Sequence, residues 1–431
     1  MTRNRVAVCF DATRLRARLK LAQPTGIDRV DLAYLQALSA DEDIALSLVV
    51  RGTFGIRQLR PAAAQQLVED ISRCWAVPPE NAQPLFAAVR NWLEAPGLIA
   101  CAAPAKTPSP APPRKGEGVR SQWLLSSPPP CGEGVLWQEK PSLYLNTSHG
   151  QLYRPAYARW LRRSGLRGLF FVHDLIPIQH PEFSRAAEPA RHAARLATIA
   201  KHGAGVLVNS AATRASLLDY WGALDVKAPP ITIAPLGIQL GSSTLPAPQA
   251  SKPYFVMLGT IEPRKNHRLL LRLWRQMIET DAAQAPRLLL IGRRGWLNRE
   301  VFDLIDHSPQ LASHVMECEG LDDAAVLALL RGAAALLNPS FAEGFGLPVA
   351  EALAAGVPVL ASDLAAHREV GGDCAEYLDP HDEAGWLRAL RDYAAPQSPR
   401  RAAALQRLGA YQAPSWQAHF RIVREKIQQL A

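Results

Sequence analysis

What the sequence lacks limits it first. Six cysteines (Cys9, Cys74, Cys101, Cys131, Cys318 and Cys374) are scattered over 431 residues without a C-x-x-C pair. Neither a zinc knuckle nor a disulfide framework is encoded, and the thiols read as reduced and structural. No apolar run reaches the roughly 18–20 residues a bilayer span requires, and the opening MTRNRVAVCFDATRLRARLK is too charged for a secretory leader. The reading is a cytoplasmic chain. No G-x-G-x-x-G follows a strand-like run and no G-x4-G-K-[ST] occurs, which removes the loops of dinucleotide oxidoreductases and P-loop kinases. C2H2 spacings, RRM-like signatures and aromatic-interleaved basic tracts are also missing, so nucleic acid is not an expected partner. The net charge of +9, carried by far more arginine than lysine, instead suits an anionic ligand or an acidic lipid surface.

What is present is an ordinary globular composition, 48% hydrophobic and 20% charged, in a chain long enough for two domains. Short β-rich runs alternate with helical patterns: RVAVCF (5–10), IALSLVV (44–50), SLYLN (142–146), GLFFVH (168–173), GVLVNS (205–210) and ITIAP (231–235). After a Pro/Ser-rich linker at 240–253 the rhythm restarts with YFVMLG (254–259), RLLLIG (287–292), HVMECEG (314–320), ALLNPS (335–340), VPVLAS (357–362) and AEYLDP (375–380). The alternation predicts two α/β domains with parallel, doubly wound sheets, 1–239 and 254–400, facing a cleft. The tail at 401–431 is helical and free to pack back on the first domain. One segment, about 101–135, breaks the pattern with a near repeat, PPRKGEGV (112–119) and PPPCGEGV (128–135), and reads as a solvated insertion.

The stretch FAEGFGLPVAE (341–351) concentrates the chemistry. Gly344, Gly346 and Pro348 keep Glu343 and Glu351 off one continuous helix. Pro348 suits the opening of a helix to about Ala355, with Gly356 ending it, which leaves Glu343 on the loop and Glu351 in the first turn. Free N–H groups at that helix start, approached closely through the glycines, make a phosphate site. Two carboxylates would repel such an anion, so they should face hydroxyls or be offset by cations. Arg264 and Lys265 in GTIEPRKNH, past the strand at 254–259, are placed to do so. Together these four side chains fit a sugar diphosphate.

In this combination the sequence resembles the retaining GT-B glycosyltransferases of family 4, with their E-x7-E segment. PTGIDRVDLAYLQAL, FFVHDLIPIQHPEF, VLVNSAATRASLLDY, APLGI, GTIEPRKNH and IGRRGW match in order. The resemblance implies a GT-B fold, two Rossmann-like domains about a central cleft. It implies that Glu343 holds the transferred sugar beside Gly344, Phe345, Gly346 and Leu347, that Glu351 holds the ribose hydroxyls, and that Arg264 and Lys265 neutralise the diphosphate. His173 and Asp174 match the family's HD near the reacting carbon, and Gly26, Ile27 and Arg29 match its first-domain loop. His149 in NTSHG also lies past a strand end. No metal or other cofactor is implied, since fixed cations and a helix N-terminus stabilise the leaving charge. The implied reaction moves a hexose from a nucleotide diphosphate sugar to a saccharide or lipid-linked acceptor. GTIEPRKN with VHDLIP resembles mannosyl- and rhamnosyltransferases of surface-polysaccharide assembly, which points first to GDP-mannose. A basic enzyme of this kind would suit peripheral contact with acidic lipid on the inner membrane face.

One departure stands out: Gly259 is followed by Thr260 where many relatives have arginine. Three other readings are weaker. A glycoside hydrolase would use the paired carboxylates but needs neither Arg264 nor Lys265. A metal-dependent GT-A transferase would need a D-x-D, and the match at Asp41-Glu42-Asp43 falls in a polar turn. A non-catalytic nucleotide-sugar-binding scaffold, inactivated by the insertion, is the third.

Overall fold

The computed structural model describes residues 5–19, 24–52, 55–76, 82–96, 141–241 and 243–431. The sequence excursion at 101–135, with Cys101 and Cys131, lies outside the described residues. The first sheet contains β1 (Val6–Asp11), β2 (Ile44–Gly52), β3 (Gly55–Gln58), β4 (Leu143–Asn146), β5 (Arg167–Val172), β6 (Gly203–Val208) and β7 (Ile231–Ile233). The second contains β8 (Tyr254–Leu258), β9 (Arg287–Ile291), β10 (Val315–Cys318), β11 (Ala335–Asn338), β12 (Val359–Ser362) and β13 (Glu376–Leu378). Their spatial orders are β3-β2-β1-β4-β5-β6-β7 and β10-β9-β8-β11-β12-β13.

All pairings are parallel except that of β2 with β3. The wholly parallel expectation for the first sheet is therefore corrected at one edge. GIRQ is short and half polar, so it carries no strand signal of its own, yet it pairs antiparallel with the end of β2.

Both faces of each sheet are covered, which is why the strands read as unbroken apolar runs. In β1, Val8 and Phe10 enter one core while Cys9 enters another; in β8, Tyr254, Val256 and Leu258 alternate with Phe255 and Met257. The first of these cores is shared by the two sheets and also takes Val423, Ile427 and Leu430 from the last helix, Trp416–Leu430. That helix is fixed to the first domain: Arg167 donates to the Leu430 carbonyl at 2.8 Å, and His419 Nε2 lies 2.9 Å from the Tyr34 hydroxyl.

Strand order places the crevices. Chain direction across the sheet reverses between β1 and β4 and again between β8 and β11, so the loops leaving those strands diverge and leave room for a ligand. Residues 12–19 and 147–149 leave the first pair; 259–266 and 339–346 leave the second.

Candidate active site

In the second domain, Gly259 ends β8 with φ 122°, a conformation that a larger residue adopts only under strain. A short 3-10 turn, Pro263–Lys265, then brings Arg264 and Lys265 back over the strand ends. Both cations go to one carboxylate. Lys265 Nζ donates to Glu343 Oε1, and Arg264 Nη1 lies 2.8 Å from Glu343 Oε2 while its Nε reaches Glu262 at 2.7 Å. Ser340 adds a hydroxyl to Glu343 at 2.9 Å, and Asn338 links Ser340 to His367. Burial alone would raise the Glu343 carboxyl, but Arg264 and Lys265 overcome it and hold the group well below the carboxylate range. Glu343 is a fixed anion.

The helix after this loop spans Leu347–Ala354, with Gly346 at φ 96° as its cap. A side chain at 346 would also press on the His367 ring, 3.0 Å away. Since the helix starts one residue before Pro348, Glu351 falls in the second turn; the expectation of a first-turn position is corrected. Burial pushes the Glu351 carboxyl up to about 7, with Arg29 drawing it down and Asp323 opposing. Arg29 meets Asp323 across the cleft through two hydrogen bonds, 2.6 and 3.1 Å.

In the first domain, His173 and Asp174 follow β5 directly. His173 is buried, and its Nε2 lies 2.7 Å from the Thr147 carbonyl oxygen, so that nitrogen carries the proton and donates. Burial holds the imidazole down at about 4, only partly offset by that bond and by Asp174. His149, at φ 43°, accepts the His173 backbone N–H at 3.3 Å, and burial also holds its imidazole well below the usual range. Both rings are neutral at pH 7. Beneath them Asp31 accepts the Thr147 hydroxyl at 2.6 Å, and its second oxygen is buried without a partner. Burial pushes this carboxyl up to about 7.

The halves touch at Gly344. A Cβ there would sit 2.2 Å from the His173 carbonyl oxygen and 2.9 Å from the Asp174 Cβ, so only glycine allows this approach. Ser210 and Thr213 donate to the Gly344 carbonyl at 2.7 and 3.1 Å. Gly26 faces Leu347 more loosely, its Cβ position 3.2 Å from a leucine methyl. A cavity of about 180 Å³ opens beside Gly344, lined by Asp174, His180, Thr213, Phe341 and Glu343. Phe345 points away, buried in the shared core.

Glu343, Gly344, Arg264, Lys265, His173 and Asp174 thus gather at one place, and Arg29, Gly26, Leu347 and Glu351 at its flank. Sequence reasoning missed Asp28 and Arg14, which pair at 2.6 Å, with Asp28 also accepting the Thr25 N–H at 2.8 Å. A T-x-x-D capping pattern ahead of the Gly26–Ala40 helix was the available signal. Asp31, Thr147 and His367 carry no comparable local mark. Among the described residues no group of three or more His, Cys, Asp or Glu side chains is arranged to hold a metal ion, and no helix is long and apolar enough to cross a membrane.

Comparison with known proteins adds three findings. Residues 252–395 match the family model for glycosyl transferases group 1. The chain is 27% identical over 252 residues to the serotype-specific mannosyltransferase WbdA of Escherichia coli, covering 54% of this chain and 31% of that protein. It is 34% identical over 143 residues to O-antigen chain mannosyltransferase B of Escherichia coli, covering 32% of this chain and 37% of that one. The chain thus spans about a third of the length of these curated relatives. Among solved structures, sucrose-phosphate synthase from Thermosynechococcus elongatus superposes with a TM-score of 0.59 at 16% identity, over 99% of each chain. The architecture is that of the two-domain GT-B fold.

Proposed function

We propose, from the premise that residues 252–395 form a glycosyl transferases group 1 domain, that the whole chain is a retaining hexosyltransferase. It takes the sugar, mannose first, from a nucleotide diphosphate donor such as GDP-mannose and passes it to a saccharide or lipid-linked saccharide. The observation that carries this reading is the convergence of Arg264, Lys265 and Glu343 at the second domain's crevice, directly opposite His173 and Asp174.

The leaving diphosphate is taken by Lys265, Arg264 and the N–H groups opening the Leu347–Ala354 helix. These are fixed in advance and need no metal for charge neutralisation. Glu343, held as an anion, accepts hydroxyl protons of the sugar and is no proton donor. Neutral His173 is likewise no acid at pH 7, since its Nε2 proton is committed to Thr147. In the reaction the C1–O bond to phosphate breaks with its electron pair on the diphosphate, and the acceptor oxygen bonds to C1 on the same face. The acceptor proton goes to the departing diphosphate oxygen. Glu351, beside Arg29 and Asp323, takes the ribose hydroxyls. WbdA and O-antigen chain mannosyltransferase B support mannose as the sugar.

A glycoside hydrolase would need a pair of carboxyls but has no use for the two cations, Arg264 and Lys265, held at Glu343. The test is a panel of GDP-, UDP- and dTDP-sugars with saccharide acceptors, the product anomer being read by NMR. The expected result is preferential turnover of GDP-mannose to an α-linked product. Inversion, or binding without turnover of any donor, contradicts the proposal.

A further inference from the structure

Two arginine side chains, Arg51 and Arg154, meet on the cleft-side rim of the first sheet, and a third, Arg16, reaches the Arg51 backbone beside them. Arg16 comes from the connection after β1, Arg51 from the end of β2 and Arg154 from the connection after β4, which are adjacent strands. Arg51 Nη1 and Arg154 Nε both donate to one oxygen, Gln151 Oε1, at 3.2 and 2.6 Å. Arg16 donates to the Arg51 carbonyl at 2.5 Å. All three are half-buried.

This is an unusual way to hold like charges. Two guanidiniums share a neutral amide oxygen, and among the described residues no carboxylate is paired with Arg16, Arg51 or Arg154. Asp11 lies below them but is saturated by other donors, the Thr13 N–H, Tyr144, Asn146 and Tyr157. Further positive charge adjoins: the Arg154 guanidinium is 5.2 Å from the Tyr153 ring centre, and Arg191 and Arg195 lie 5.5 Å from the same ring. Glu188 answers only Arg195, at 2.5 Å, and more distantly Arg191. Repulsion within such a group is relieved when an anion with several acceptor oxygens enters it.

We propose that Arg16, Arg51 and Arg154 form the seat of a phosphate group carried by the acceptor. This rests on the transferase reading and deepens it. Gln151 stands two residues from His149, which touches His173, so the seat lies along the rim from the point where transfer occurs. Two guanidiniums converging on one amide oxygen, with a third cation on the adjoining backbone carbonyl, suit the several oxygens of a phosphoryl group better than the two of a carboxylate. Because the arginines are half-buried, the ligand is a compact group that comes to them, not a broad charged surface.

The experiment is a calorimetric titration of inorganic phosphate into the full chain with its donor cleft saturated by nucleoside diphosphate. Wild type is expected to bind phosphate. Arg51→Ala/Arg154→Ala should weaken that binding roughly ten-fold or more, with nucleoside diphosphate affinity unchanged. Gln151→Glu, which supplies an internal anion, should have the same effect without leaving the guanidiniums uncompensated, and it decides alone if the double variant does not fold. A hexose phosphate and a short-chain polyprenyl diphosphate in detergent distinguish the sources: the tighter ligand names the acceptor. Phosphate that fails to bind wild type, or binds Gln151→Glu equally well, overturns the proposal. Failure of wild type to bind any nucleoside diphosphate would instead overturn the transferase reading.

Discussion

Glu343 occupies Lys265 and Arg264 at once, so each of the three depends on the others for its charge. Glu343→Gln leaves buried Lys265 with a neutral partner and Arg264 with Glu262 alone, at an expected stability cost of about 3–5 kcal/mol. Its kcat should fall roughly 100-fold or more. Denaturant unfolding and initial rates measure the two effects, and added nucleoside diphosphate should restore more stability to the variant than to wild type. The Glu343 pairing contributes above the ordinary glutamate pKa and is lost as pH falls below it. Asp31 has the opposite sign. Its carboxyl is raised from 3.8 to about 7 in the folded protein, so stability from this group is fullest below pH 4 and declines as pH rises to about 7. Asp31→Asn keeps the shape without the charge, and its unfolding free energy should exceed that of wild type at pH 8, on the order of a few kcal/mol, but not at pH 4. A wild-type pH profile in the variant would contradict the assignment. Asp31 was invisible in sequence because its partner Thr147 lies 116 positions away.

At the scale of elements, the strand ends and loops were largely legible, because parallel strands buried on both faces leave continuous apolar runs between turn residues. The start of the Leu347–Ala354 helix was not, since proline tolerates either of the first two helical positions and Gly346 in its left-handed conformation set the actual one. β3 was missed because edge pairing needs no apolar pattern. The loop glycines gave the clearest guidance. Gly344→Ala places a methyl 2.2 Å from the His173 carbonyl, so the FAEGFG loop must withdraw from the first domain. Transfer should fall by at least roughly 100-fold while nucleotide affinity, which the proposal assigns to the second domain, stays within a few-fold. Equal loss of both in calorimetry and rate assays would show that the contact shapes the donor pocket itself.

The whole molecule depends on ties that no local pattern could reveal. Arg29 and Asp323 are 294 positions apart in sequence, yet they close one side of the cleft. Phe183 and Phe341 stack across another side at 5.6 Å. Behind the cleft, fully buried Arg287 donates to the Leu93 and Ala95 carbonyls at 2.6 and 3.0 Å and lies over Trp92, joining the Ala82–Glu94 helix to the start of β9. Arg287→Met removes a charged donor from each of those carbonyls, which keep Ser251 as a partner, and should lower the unfolding free energy by about 1–3 kcal/mol in denaturant titration. The two-domain plan was readable because each half carries its own strand rhythm. The arrangement of one half against the other was not, because it rests on single contacts between distant loops. The central claim is that Lys265 neutralises a departing diphosphate between these halves, and rapid-quench single-turnover transfer from GDP-mannose tests it most directly. The account predicts that Lys265→Ala still binds GDP and remains folded but transfers sugar at least roughly 100-fold more slowly; transfer at the wild-type rate would contradict it.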